Sequence, residues 1–260
     1  MVSIRIQSWA FPILFCLSIS GFSQRSAKPA DRTESFDPSV TTLPAKYAGN
    51  DFNAILSALE ARKASLEKGE YETTPEHRER VARITPSPIL GKLMPDSTMA
   101  FVLRESEVTT EYNADRQVLT VRITREPICD SFTMDGSITK GSAVYQNPFG
   151  AVWRVTTYSG NVRGISYGLD QVRMPKSEGY PVFHSELRMD PKVAAAVRGE
   201  IRALVVGKLK DRLITKCLIK SEPTFEKRTQ INVTGSLIAL LFEEIWFFHG
   251  PTGEIYSKIK

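Results

Sequence analysis

Leu119-Thr120-Val121-Arg122-Ile123-Thr124 sets apolar against polar side chains at every step, and a period of two marks a half-buried β-strand. The same alternation runs through Met99, Phe101 and Leu103, and Asn113-Ala114-Asp115 supplies turn chemistry ahead of the second run. This predicts an antiparallel hairpin. Downstream, Asp135-Gly136 and Asn147-Pro148-Phe149-Gly150 read as further turns, bracketing strands that hold Ala143 to Tyr145 and Val152 to Tyr158. At the far end, Ile245 to Phe248, Gly250-Pro251-Thr252-Gly253 and Ile255 to Ile259 form a closing hairpin. Leu237 to Phe242 is apolar without alternation, so it is a central strand or a buried helix, the β-rich context favouring the strand, and Glu243 and Glu244 keep it from being a membrane span.

Before residue 96 the period is helical. Asp51 is a good N-cap, Phe52, Ile55, Leu56, Leu59 and Leu66 fall on one face, and Gly69 is expected to end the helix in a left-handed conformation. A second helix opens at Thr74 as N-cap with Pro75 at the first helical position and runs to about Ile84, followed by a Pro- and Gly-containing connection from Thr85 to Pro95. A third follows Asp190-Pro191 across Val193 to Val197. The fold class is therefore α+β: a helical segment over 47–95, then an antiparallel β-rich body over 96–260 with one further helix near 190–200. Periodicity does not decide whether that body is one unit or two divided near Arg188.

The first 23 residues read as a secretory signal peptide: Arg5, an apolar run from Trp9 to Ile19, and small residues at −3 and −1 of cleavage after Ser20 or Ser23. An uncleaved anchor is disfavoured because Pro12, Ser18 and Ser20 interrupt a run shorter than the roughly 20 residues needed to span. Phe15 is too bulky before Cys16 for lipoprotein processing. Residues 24–46, rich in Ser, Thr, Pro, Arg and Asp, suggest a flexible tether.

Processing leaves two cysteines, Cys129 and Cys217, in an oxidising compartment, periplasmic or extracellular. A disulfide is expected, worth at most ~4–5 kcal/mol in the chain-entropy model; the alternative is a pair of buried thiols. Composition is that of an ordered globular chain, 42% hydrophobic and 24% charged, and the net charge of +5 is mild.

Catalytic signals are sparse. Gly164-Ile165-Ser166-Tyr167-Gly168 matches the GxSxG nucleophile elbow, with His184 or His249 and Asp170 or Asp190 as conceivable partners for Ser166. The elbow needs a buried strand before it and a helix after it. Here Tyr158-Ser159-Gly160-Asn161 precedes it and Pro175, Gly179 and Pro181 follow, so a structural serine is the expectation. His77, His184 and His249 are isolated, and neither HExxH nor CxxC occurs, so no metal site is expected; no phosphate loop or GxGxxG supports a cofactor. If 208–220 is extended, Lys208, Lys210, Arg212, Lys216 and Lys220 share one face opposite Leu209, Leu213, Cys217 and Ile219. That row could meet an anionic envelope surface, or simply guard an edge strand against aggregation. No nucleic-acid motif accompanies it. The function expected is that of an exported, soluble, non-enzymatic protein acting by binding, as an envelope accessory, adaptor or inhibitor of an unidentified protein partner. A serine hydrolase using Ser166 and an anionic-surface binder using the basic row are the alternatives.

Overall fold

The computed structural model describes residues 32–123, 129–146, 149–166, 176–177, 180–181 and 183–260; the leader, residues 24–31 of the expected tether, and Asp170 lie outside them. Among these residues three α-helices, α1 (Phe52–Leu66), α2 (Thr74–Ile84) and α3 (Pro191–Val197), accompany the strands β1 (Met99–Val102), β2 (Val108–Asn113), β3 (Val118–Ile123), β4 (Ser131–Gln146), β5 (Val152–Ser166), β6 (Lys176–Ser177), β7 (Tyr180–Pro181), β8 (His184–Arg188), β9 (Ile201–Ser221), β10 (Thr229–His249) and β11 (Ile255–Ile259). The architecture is mixed α+β and mostly strand. Among the described residues no helix is long and apolar enough to cross a membrane.

The spine is the hairpin of β9 and β10, paired antiparallel from Ile201↔His249 out to Ser221↔Ile231. At its base β1 flanks β9 and β11 flanks β10, both antiparallel. Further out β5 replaces β11 beside β10, and β4 pairs with β5. Here the expectation of a wholly antiparallel body is corrected: β5 runs parallel to β10, from Thr156↔Thr229 to Ser166↔Ala239. Parallel neighbours need a long crossover, and the chain between Ser166 and Thr229, including β8, α3 and all of β9, provides it.

At the base of the hairpin both faces are covered. On one side α1 contributes Phe52, Ile55, Leu56 and Leu59, and the separate β2-β3-β8 sheet contributes Leu119, Val121 and Leu187, all packed with Phe101, Ile201, Ala203, Val205, Ile245 and Phe247. Residues before and after Arg188 thus share one core. The opposite face buries Ala100, Leu204, Val206, Trp246 and Phe248 beneath Leu43, Phe36, Val40 and Tyr47.

These last four residues belong to the stretch read as tether or its border, and residues 32–46 are instead a docked strap. The Phe36 N–H donates to Thr98 O at 2.8 Å, Leu43 N–H to Gly253 O at 2.8 Å and Lys46 N–H to Gly250 O at 3.0 Å. The Phe36 ring meets Trp246 edge-on at 5.1 Å. Buried Asn50 fastens the strap: its amide donates to Arg32 O and Glu34 O at 3.0 Å each, and its side-chain oxygen accepts from Ala100 N–H at 2.8 Å. Burial pushes the Tyr47 phenol up to about 12. A few anchors at wide spacing outweigh a composition that looked too polar to order.

The helices form where capping chemistry places them, with two corrections. Asp51 caps α1 through Ala54 N–H, and Asp190 caps α3 through Lys192 N–H. For α2 the cap is Thr73, one residue earlier than expected, in a reciprocal capping box with Glu76. Gly69 has no left-handed backbone, and α1 ends at Leu66 because side chains from α2 cap its last carbonyls: His77 Nε2 lies 2.9 Å from Leu66 O, and Arg80 donates to Ser65 O and Glu67 O. Asp135-Gly136 is likewise no turn. The register shifts between Thr133 and Asp135, a bulge in β4 with Gly136 at φ 78°.

Candidate binding surface

Beyond the base, the sheet order β9-β10-β5-β4 continues as an arm. Cys129 and Cys217 are joined, with Cα atoms 5.6 Å apart, so the expected disulfide is present. It links β9 to the lead-in of β4, three strands away. A flat sheet would hold those strands about 14 Å apart, whereas the two residues from Cys129 to Ser131 reach at most about 7 Å. The arm is therefore curled, and its concave side holds Val162, Val233 and Leu237 with both cysteines, flanked by Ile138, Ile219 and Ile231. Gly160 permits the curl, since a Cβ there would lie 2.1 Å from Ser137 O.

The convex side is polar. Ser236, Thr234 and Asn232 of β10 lie beside Lys216, Leu218 and Lys220 of β9, and beside Arg163, Asn161 and Ser159 of β5. The expected basic row is broken before it reaches this face. Between Leu209↔Leu240 and Ile214↔Ile238, β9 advances five residues while β10 advances two, so the bulge reverses which face each parity occupies. Leu209, Leu213 and Ile214 pack with the large core, but Cys217 and Ile219 sit on the opposite side. Lys208 therefore lies on the face opposite Lys216 and Lys220. Lys208 Nζ is 3.8 Å from Glu243, and Lys216 Nζ is 3.5 Å from Glu60 and 2.6 Å from Ser236 Oγ. Lys210 lies in the bulge, and the side chain of Arg212 falls outside the described residues. These residues do not form one cationic surface.

Ser166 sits in regular strand, the last residue of β5, between Ser131 of β4 and Ala239 of β10. Of its conceivable partners, Asp170 lies outside the described residues. His249 contacts Glu200 at 2.7 Å and Thr252 at 2.8 Å, Asp190 caps α3, and His184 is exposed on β8 opposite Arg122. Among the described residues no group of His, Cys, Asp and Glu could hold a metal.

What stands out is the end of the arm. The β4–β5 connection and the β9–β10 connection are drawn together there by aromatic packing. Tyr145 stacks on Trp153 across the ladder at 6.4 Å, Trp153 meets Phe225 edge-on at 6.1 Å, and the Tyr145 hydroxyl donates to Gln230 at 2.8 Å. Arg228 lies 5.5 Å from the Phe225 ring, and its carbonyl accepts from Thr156 N–H. At this end four apolar side chains face solvent: Phe149 is 94% exposed, Val144 and Phe225 66%, and Val152 62%. Arg154, Lys227 and Arg228 are exposed at the same end, with Glu222 and Glu226, and Lys140 and Lys220 are exposed further back along the strands.

Sequence reasoning passed over this cluster. The signal was available in two connections, Asn147-Pro148-Phe149-Gly150 and Pro223-Thr224-Phe225, that carry a phenylalanine where turn chemistry asks for none. Comparison with protein-family models, with curated proteins and with solved structures finds no match to this chain.

Proposed function

We propose that this chain is an exported protein that works by binding, and that the end of the curled arm is its binding surface. The reading is carried by the concentration of exposed Val144, Phe149, Val152 and Phe225 at one end, whereas exposed Tyr71, Val193, Leu218 and Leu241 belong to four different segments. Isolated exposed apolar residues need no explanation, but a cluster on two adjoining connections and the strand ends beside them marks an interaction site. The leader pattern and the disulfide support export. Ser166 itself is paired in the ladder between β4 and β10.

The test is retention on envelope fractions of the source cell. Mature protein carrying Val152→Asp and Phe225→Asp should lose the interaction while its urea denaturation midpoint stays unchanged. Undiminished retention of that variant would place the binding surface elsewhere.

A further inference from the structure

We infer that the partner of the arm's end is an anionic lipid surface, into which the two loops dip. The inference rests on the reading of that end as the binding surface and adds what it binds. Its chemistry is graded along the axis of the arm. Outermost are the apolar side chains of Phe149 and Val152, 94% and 62% exposed, with Phe225, 66% exposed, packed against Trp153. Behind them lie Tyr145 and Trp153, half-buried and stacked, with the Tyr145 hydroxyl tied back to Gln230. Rings that are apolar at one end and polar at the other favour the boundary between acyl chains and headgroups.

Of the cations, Arg154 follows Trp153 on β5 and Lys227 and Arg228 lie in the β9–β10 connection, while Lys140, opposite Tyr158, and Lys220, opposite Asn232, lie further back along the arm. Five positive groups face two carboxylates, and one of these, Glu222, already accepts from the Gln230 amide at 3.2 Å. Such a surplus complements phosphatidylglycerol or another anionic headgroup, each cation near the surface contributing about a fivefold gain in affinity. Shape favours lipid over a folded protein. Phe149 and Phe225 project from two separate connections, with Val152 at the strand end beside the first, so they suit a fluid layer that can close around them.

Mature protein is mixed with vesicles of phosphatidylcholine alone or with one quarter phosphatidylglycerol, and bound protein is measured by sedimentation. Binding should require phosphatidylglycerol and weaken as salt rises. Lys227→Glu with Arg228→Glu should weaken it by more than tenfold, and Val152→Asp with Phe225→Asp should abolish it. Lipid brominated on the acyl chain should quench Trp153. The inference is overturned if charged vesicles are not bound, if uncharged vesicles bind equally well, or if neither variant differs from the parent. Absent vesicle binding, with envelope retention still lost in Val152→Asp and Phe225→Asp, would point to a protein partner and leave the binding surface standing. Loss of neither would remove both.

Discussion

From Ile201 to Gly207 the long hairpin is covered on both faces, whereas from Ile214 to Ser221 it is covered on one. The residues record the difference. In the base, Ala203-Leu204-Val205-Val206 and Ile245-Trp246-Phe247-Phe248 run apolar without a break, because successive side chains enter the two opposed clusters. In the arm, Cys217, Ile219 and Val233 alternate with Lys216, Leu218, Thr234 and Ser236, because only the concave side is packed. The base holds the fold by burial. The arm is held by its ladder, its curl and one disulfide, and this leaves its end free to carry exposed side chains that a core would have absorbed.

The comparison breaks most readily at the base. Phe247→Ala removes a fully buried ring from the larger cluster and should cost about 3–5 kcal/mol in urea denaturation, lowering the midpoint for the whole chain. A loss under about 1 kcal/mol would show that the base is not the stability centre.

Next is Arg62, buried at the position where a fourth turn of apolar residues would continue the α1 stripe. Its guanidinium donates to Ile84 O and Ser87 O, both at 2.9 Å, and to Thr85 O. Arg62→Ala leaves these carbonyls without their partner and should cost about 2 kcal/mol, with faster amide exchange in α2 and the connection after it.

Gly160→Ala probes the arm. A methyl group 2.1 Å from Ser137 O and 3.0 Å from the Ile138 Cα must push β4 and β5 apart, at a cost of about 1–3 kcal/mol. The damage should appear as proteolysis within 137–165 while the base keeps its amide protection. Spread of that damage into β1 and β11 would erase the distinction between the two regions.

The smallest effect sharpens the comparison from outside both regions. Glu72 is held down at about 2 by its hydrogen bonds from the Arg80 side chain and then the Gly69 N–H. A depressed carboxyl stabilises the folded state above its unfolded pKa near 4.5, and that contribution fades as pH falls toward 2. Exchange in α2 and at the end of α1 should therefore quicken between pH 4.5 and 2. Glu72→Gln should flatten the profile.

Much of this fold was legible because it is local. Asp51, Asp190-Pro191 and the Thr-Pro-Glu start of α2 act through their own backbone neighbours, and the closing turn Gly250-Pro251-Thr252-Gly253 reads directly, with Gly253 at φ 77°. What escaped is long-range. Alternation says that Val152 to Tyr158 is a strand but not that β5 lies parallel to β10, because partner choice depends on which crossover the chain can complete. The bulge over Lys210 to Leu213 has no residue type to announce it, yet it divides the basic row between two faces. The strap escaped because Phe36, Val40, Leu43 and Tyr47 are too far apart to show a period. The arm's end escaped because turn rules account for Pro and Gly and are silent about an exposed Phe149.

Amide exchange on the oxidised and the reduced mature protein tests the division most directly. Breaking Cys129–Cys217 should speed exchange across Ile214–Ser221 and Thr229–Ile238 while Ile201–Val206 and Glu244–His249 stay protected, since the base is packed independently of the bridge. Equal loss of protection along the whole hairpin would contradict the account, as would no loss anywhere.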